Sequence, residues 1–450
     1  MPLLPPPALL QQTLRAVARR YRLPALSEVR EAGPSTTLAT VIEQARLALV
    51  RGETPDAALE RLFVEALARL IHDAMRADAG DPVFQAMLLR HRVTHVREYA
   101  SLSARAEQDR RPVLASVNAL AHPRKPQSEG MVKLHALASS SSWSALHDAV
   151  QQLLDLPAIA DDTPTRHRLS RLADSPELER LRRLETLGSD ALVRQYRTLW
   201  DRQGPRSGTA AAAAQGVDAQ RRGTAVEALT AQALQALARR LNEADGTGTP
   251  YRVVTSMRVP ASIPAKHERA KTEWDAVLLR QAETIDDAPA WDICLLAEAK
   301  ASADAATTDF PRLLRGMRLL AQADAAVTYD FETHEGVVRL RGASLSALPT
   351  DETALAETVL YCSNAPAETA PRLLSAASRM QLLSAQDSLD FAAHVAETRH
   401  ADARDLEPVW QQLLESPRWA AVLNQYAVMR EVRDLMVHPD DLLAASDSQA

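Results

Sequence analysis

Two short apolar runs in this chain each carry an acid at one end: Glu273-Trp-Asp275-Ala-Val-Leu-Leu279 and Trp291-Asp-Ile-Cys-Leu-Leu-Ala-Glu298-Ala-Lys300. Read as an antiparallel hairpin with its loop at 281–290 and Leu279 paired with Cys294, they place Asp275 opposite Glu298. Residues that face each other on one side of such a ladder have Cβ atoms about 4.5–5.5 Å apart. Two carboxylates that close repel unless a cation sits between them, and a divalent metal with oxygen ligands is the natural occupant. Lys300 follows Glu298 by two residues, so it shares the strand face. Its ammonium is placed to stabilise a phosphorane-like charge or to help activate a water. A fourth residue, Glu227, lies in a helix opened by Arg221-Arg-Gly-Thr-Ala-Val, and packing that helix on the strands aims it at the same end.

The elements that must position these residues are legible around them. Arg222–Leu241 has strong helical periodicity, and Tyr251–Val259, Glu273–Leu279 and Trp291–Glu298 read as strands. A helix over Phe310–Gln322 is expected, with Asp309 as N-cap and Pro311 near its start. Val337–Leu340 and Thr358–Cys362 read as further strands. Upstream, apolar positions at i, i+3, i+4 and i+7 mark helices through Leu38–Leu49 and Ala58–Ile71, the second opened by Thr54-Pro55-Asp56. A proline-bearing polar stretch over 122–130 interrupts the helices, which resume from Ser142 to Trp200. The expected division is a helical N-terminal domain over 1–203 with a break near 122–131, a linker over 204–219, an α/β core over 220–385, and a helical segment over 386–450.

This order resembles the PD-(D/E)xK, or restriction-endonuclease-like, nuclease superfamily over roughly residues 220–365. The family core is a helix bearing Glu, a strand, a strand bearing Asp, a strand ending in (Asp/Glu)-x-Lys, then a helix and a strand. Here the matching parts are Glu227, Tyr251–Val259, Asp275, Glu298-Ala299-Lys300 and Phe310–Gln322. Trp274 stands where the family often has Pro. The resemblance implies an α+β, mostly helical protein with a restriction-endonuclease-like mixed-sheet core. It implies Mg²⁺ (or Mn²⁺) held by Asp275, Glu298 and the carbonyl of Ala299, with Lys300 assisting the attacking water. The implied reaction is phosphodiester hydrolysis, on DNA in preference to RNA, in phage defence, DNA repair or as a toxin.

Lys266 and Lys271, just before Asp275, and Arg312 and Arg315, on the following helix, are the candidate nucleic-acid contacts. Only five of the 52 basic residues are lysine, and three of those five fall between 266 and 300. Arginine is always charged and forked, so a lysine kept in an arginine-rich chain suggests chemistry that wants a point charge. Asp292 lies at the wrong end of its strand for the site.

Composition bounds the rest. The net charge of -6 conceals an asymmetry, because residues 163–222 carry 12 basic against 7 acidic side chains and 386–450 carry 5 against 12. The excess acid therefore lies away from the candidate site. Two cysteines exclude a disulfide framework and a Cys-rich zinc site, and point to a cytoplasmic setting. No apolar run is long enough to span a membrane, and the opening residues lack a signal-peptide pattern. Scarce glycine (14 residues) argues against an all-β chain.

Two other readings follow from the same sequence. One is a non-catalytic interaction protein with a decayed core, its helical regions binding a protein partner or a second copy. The other is a metal-independent ribonuclease similar to the HEPN type, using Arg433 and His438 of Arg-x4-His near the end of the last helix.

Overall fold

The computed structural model describes the chain apart from residues 1–6, 27–32, 121–128, 161, 203–209, 245–249, 286–287, 370, 399 and 448–450. The protein is mostly helical, with one small mixed sheet. It divides into two units, and the division is not the linear one expected. Residues 1–66, 207–379 and 410–450 form the first, and residues 67–206 and 380–409 the second.

The regular structure of the second unit is helical throughout its described residues. Val113, Val117, Leu134, Trp143, Leu146, Val150, Leu169, Leu172, Leu178 and Leu181 form its core. Its helix starts are capped as the sequence dictates: Asp81, Ser175 and Asp190 each accept from backbone N–H groups in the first turn that follows. Several arginines of the basic stretch are already engaged by acids, Arg180 with Asp109 at 2.6 Å and Arg183 with Glu98 at 2.7 Å.

The first unit holds the sheet. The strands and the helices that bear on the site are α1 (Ala8–Ala16), α2 (Ala210–Ala244), β1 (Tyr251–Arg258), β2 (Glu273–Ile285), β3 (Ala288–Ala299), α3 (Ala303–Leu320), β4 (Thr328–Thr333), β5 (Gly336–Arg341), β6 (Val359–Cys362), α4 (Gln425–Leu435), β7 (Met436–Val437) and α5 (Pro439–Asp447). The alanine run expected to lie in a linker is the first turn and more of α2, consistent with the high helix propensity of alanine.

Over 295–297 of β3, and along β6 and β7, successive residues face opposite cores. Leu296, Val359, Tyr361 and Met436 join one core with Phe310, Leu313 and Met317 of α3 and Val432 of α4. Leu295, Ala297, Leu360, Cys362 and Val437 join another with Leu10, Leu14, Leu234, Leu237 and Leu442 of α1, α2 and α5. Helices thus cover both faces, and each fully buried Leu or Phe contributes about 1.5–3 kcal/mol. β6 runs parallel to β3, and β7 parallel to β6.

The sheet is mixed, as expected, but it departs from a clear restriction-endonuclease-like core. β1 pairs with β2 on one edge and touches β4 at Arg258 and Glu332, while β5 pairs with β3 at Ala290–Arg339 and Trp291–Leu340. Because β2 also pairs with β3, five strands close into a ring. The β4–β5 hairpin makes the closure. Only β5 was visible as a strand in the sequence, because β4 (Thr-Tyr-Asp-Phe-Glu-Thr) is short and half polar. The chain therefore lacks a clear restriction-endonuclease-like sheet, and the established architecture is the coarser α+β one.

Candidate active site

The hairpin register decides whether the acids meet. Near the site it runs as expected, with Ala276 opposite Ala297, Val277 opposite Leu296 and Leu278 opposite Leu295. It shifts between Leu278 and Leu279, so Leu279 pairs with Ile293 and Cys294 falls in the irregularity. The assumed Leu279–Cys294 pair is therefore wrong, yet the position sum it implied holds at the end that matters. Asp275 Oδ2 accepts from Ala299 N–H at 2.8 Å, which ties the two strand ends together. On the other side of Asp275, Ser256 takes a left-handed φ of 49°. The flanking pairs Thr255–Ala276 and Met257–Trp274 set Ser256 opposite the aspartate. The alternation breaks there, and Trp274 turns into the same core as Val277.

Glu298 is fully buried, and Lys271 and Lys300 converge on one of its oxygens. Oε2 lies 2.5 Å from Lys271 Nζ and 3.3 Å from Lys300 Nζ. Its other oxygen, Oε1, is buried with no hydrogen-bond partner among the described residues. Burial, then the neighbouring Asp275 charge, push the Glu298 carboxyl up to about 8 against the pull of the two lysines. Lys300 also lies 3.3 Å from Asp309, which accepts from the Tyr361 hydroxyl at 3.3 Å. Burial opposes the Lys300 ammonium, but Glu298, Asp309 and Asp275 outweigh it and hold its pKa above the ordinary value. Glu227, exposed on α2, is raised by partial burial and then by Asp275, so it shares the electrostatic neighbourhood of the cluster.

Of the expected site residues, the fold thus gathers Asp275, Glu298, Lys300 and, at the rim, Glu227. The expected contacts divide. Lys271 is buried against Glu298, which corrects its placement as a surface phosphate contact. Lys266 and Arg312 are exposed, and Arg315, also exposed, donates to the carbonyl of Arg269 at 2.7 Å. Two partners were missed. Asp309 was read as the cap of its helix, but α3 starts seven residues earlier. Ser302 accepts from Ala305 N–H there, and Pro311 lies inside the helix. This frees the Asp309 carboxylate to reach Lys300. Tyr361 is a strand residue whose only sequence signal was its apolar run. Asp292, away from the cluster as expected, is buried with Arg341 at 2.5 Å.

The Arg-x4-His motif does not lie on one helix. α4 ends at Leu435, Met436–Val437 form β7, and His438 follows the strand. Arg433 is buried and pairs with Glu368 at 2.8 Å.

Among the described residues no three His, Cys, Asp or Glu side chains form a metal-binding group. Mg²⁺, however, keeps several waters and is commonly bound through only one or two carboxylates. A fully buried carboxylate oxygen without a partner, beside a second carboxylate, fits that demand. No helix among the described residues is long and apolar enough to cross a membrane. Comparison of the chain with protein-family models, curated proteins and solved structures finds no match.

Proposed function

We propose that the chain is a Mg²⁺- or Mn²⁺-dependent nuclease with a restriction-endonuclease-like core, hydrolysing phosphodiester bonds in DNA in preference to RNA. The observation that carries this reading is the buried, unpartnered Oε1 of Glu298, on a carboxyl that feels the Asp275 charge and has the Lys300 ammonium 3.3 Å from its other oxygen. An orphaned buried acceptor costs about 1–3 kcal/mol, a cost that binding a cation at that oxygen would remove. The element order α2–β1–β2–β3–α3–β6 supports the same reading, with the β4–β5 hairpin as an insertion in it.

The chemistry follows from the groups present. Asp275, Glu298 Oε1 and the Ala299 carbonyl would hold the cation, which when bound supplies Lewis-acid charge at the phosphate. Lys300, held as an ammonium by Glu298 and Asp309, serves as a fixed positive charge for the oxygens of the transition state rather than as a base. Glu227, with its pKa raised above the ordinary carboxylate value, is suited to take a proton from the attacking water. The water oxygen bonds to phosphorus, the P–O ester bond breaks, and the leaving alkoxide takes a proton from solvent. Exposed Lys266, Arg312 and Arg315 are the candidate contacts to the nucleic-acid backbone.

Plasmid and RNA incubated with Mg²⁺, Mn²⁺ or EDTA test this. DNA cleavage that needs metal and falls more than about 100-fold in Asp275→Ala and Lys300→Ala is expected. Cleavage that survives EDTA and is lost in His438→Ala would instead support the metal-independent ribonuclease, although the engagement of Arg433 with Glu368 speaks against it. The rival with a specific observation behind it is the decayed core, because Lys271 already neutralises part of the Glu298 charge. Absence of cleavage on every substrate would favour it.

A further inference from the structure

The two oxygens of Glu298 are used differently. Oε2 receives both ammonium groups, and Oε1, equally buried, receives nothing among the described residues. Lys271 is held firmly. Its side chain is 6% exposed, its N–H donates to the carbonyl of Arg312 at 3.1 Å, and its ammonium lies 5.8 Å from the centre of the Trp274 ring. Its own backbone and Cβ press on the bare Cα of Gly316 in α3. The position therefore depends on a helix–loop contact that only glycine permits.

Where two divalent cations share a phosphodiesterase site they stand about 3.5–4 Å apart. A carboxylate bridges such a pair most simply through its two oxygens, one on each cation, and Glu298 Oε2 has both of its lone pairs engaged by the two ammonium groups. At Glu298 one oxygen is already taken by a fixed ammonium.

We propose that Lys271 is a positioning residue that stands in for a second cation. By occupying Glu298 Oε2 it limits the site to a single divalent ion, held on Oε1 and Asp275. The inference rests on the metal-site reading above and goes beyond it by fixing the stoichiometry and naming the group that sets it. Lys300 touches the same oxygen but also answers to Asp309 and is less buried, so Lys271 is the group that closes that side.

The test is Mn²⁺ uptake by the full chain, followed by the electron paramagnetic resonance signal of free Mn²⁺. Asp275→Asn is titrated in parallel, so that ions on exposed acids subtract. Wild type is expected to take one Mn²⁺ per chain above that blank, Lys271→Arg one, and Lys271→Met two. A folded Lys271→Met protein, shown by its circular dichroism and a cooperative melt, that takes one or none overturns the role of Lys271. Should that variant fail to fold, Lys271→Gln carries the same comparison. Wild-type uptake no greater than the blank removes the metal site itself and this inference with it. One equivalent in both wild type and Lys271→Met leaves the metal site standing and overturns only the stoichiometric role.

Discussion

Lys271 Nζ stands 2.5 Å from Glu298 Oε2, and the side chains are 6% and 0% exposed. A buried pair of this kind contributes little net stability, yet removing one partner costs about 3–5 kcal/mol, because the other is left as an uncompensated charge. The pair therefore makes the loop before β2 part of the site.

That loop rests against Gly316 of α3. A Cβ there would lie 2.7 Å from Lys271 Cβ and 2.9 Å from its carbonyl oxygen. Helix propensity alone favours Gly316→Ala by about 0.5–1 kcal/mol, whereas overpacking against backbone costs about 1–3 kcal/mol. A net loss of about 1–2 kcal/mol in urea denaturation is expected. A stabilised variant would show that the loop yields freely.

Glu298 sets a pH dependence. Its carboxyl, raised to about 8 by burial and then by Asp275, binds a proton more tightly folded than unfolded, where the ordinary value is 4.5. The sign follows: the stabilisation is fully present below about 4.5 and is lost as pH rises through about 8. Glu298→Gln mimics the protonated form. In EDTA its stability relative to wild type should be level near pH 4.5 and should rise towards pH 9. A difference that stays flat across that window refutes the raised value.

Asp309 lies as close to the Lys300 ammonium, 3.3 Å, as Glu298 does. Asp309→Asn should lower the maximal cleavage rate about tenfold with little change in KM, since it loosens a group acting in the transition state. Tyr361→Phe, which removes one 3.3 Å hydrogen bond to Asp309, should cost less than about threefold. Equal effects of the two would mean that the tyrosine, not the carboxylate, does the positioning.

Far from the site, Arg341 forms a two-point pair with Asp292, at 2.8 and 2.5 Å, with both residues buried. Asp292→Ala strips that carboxylate from the guanidinium and should destabilise the first unit by about 3–5 kcal/mol. Thermal melts of wild type and variant measure it, and a loss under about 1 kcal/mol would contradict the burial of the pair.

The cysteines should be inert. Burial pushes both thiols, Cys294 and Cys362, up to about 12. At pH 8 the reactive thiolate is then only about one part in 10⁴. Iodoacetamide should label neither in the native protein and both after denaturation.

What the sequence revealed about this site came from period and end position. Alternating apolar residues located β1, β2, β3 and β6, and an acid at the end of each of two neighbouring strands located Asp275 and Glu298. A register shift at Leu279 escaped it, because a bulge is a backbone event with no residue signature here. Lys271 reads as a phosphate contact from the sequence, since its burial depends on a glycine 45 positions away. Asp309 was hidden by an Asp-x-Pro pattern that imitates a helix start, while Ser302 does the capping. The ring of strands was not legible either, because β4, which closes it, is too short and too polar to stand out. The division into units was hidden for a related reason: it depends on segments far apart in the chain packing together.

That last point has a consequence for synthesis. The strand carrying Glu298 and Lys300 pairs with β6, and β6 completes its other edge with Met436 and Val437. On a ribosome adding about 5–20 residues per second, Lys300 emerges on the order of ten seconds before the residues that finish its sheet. A nascent chain therefore carries every chemical group of the site while the outer edge of β6 is still unpaired, so the activity proposed here would switch on late, when β7 closes that edge.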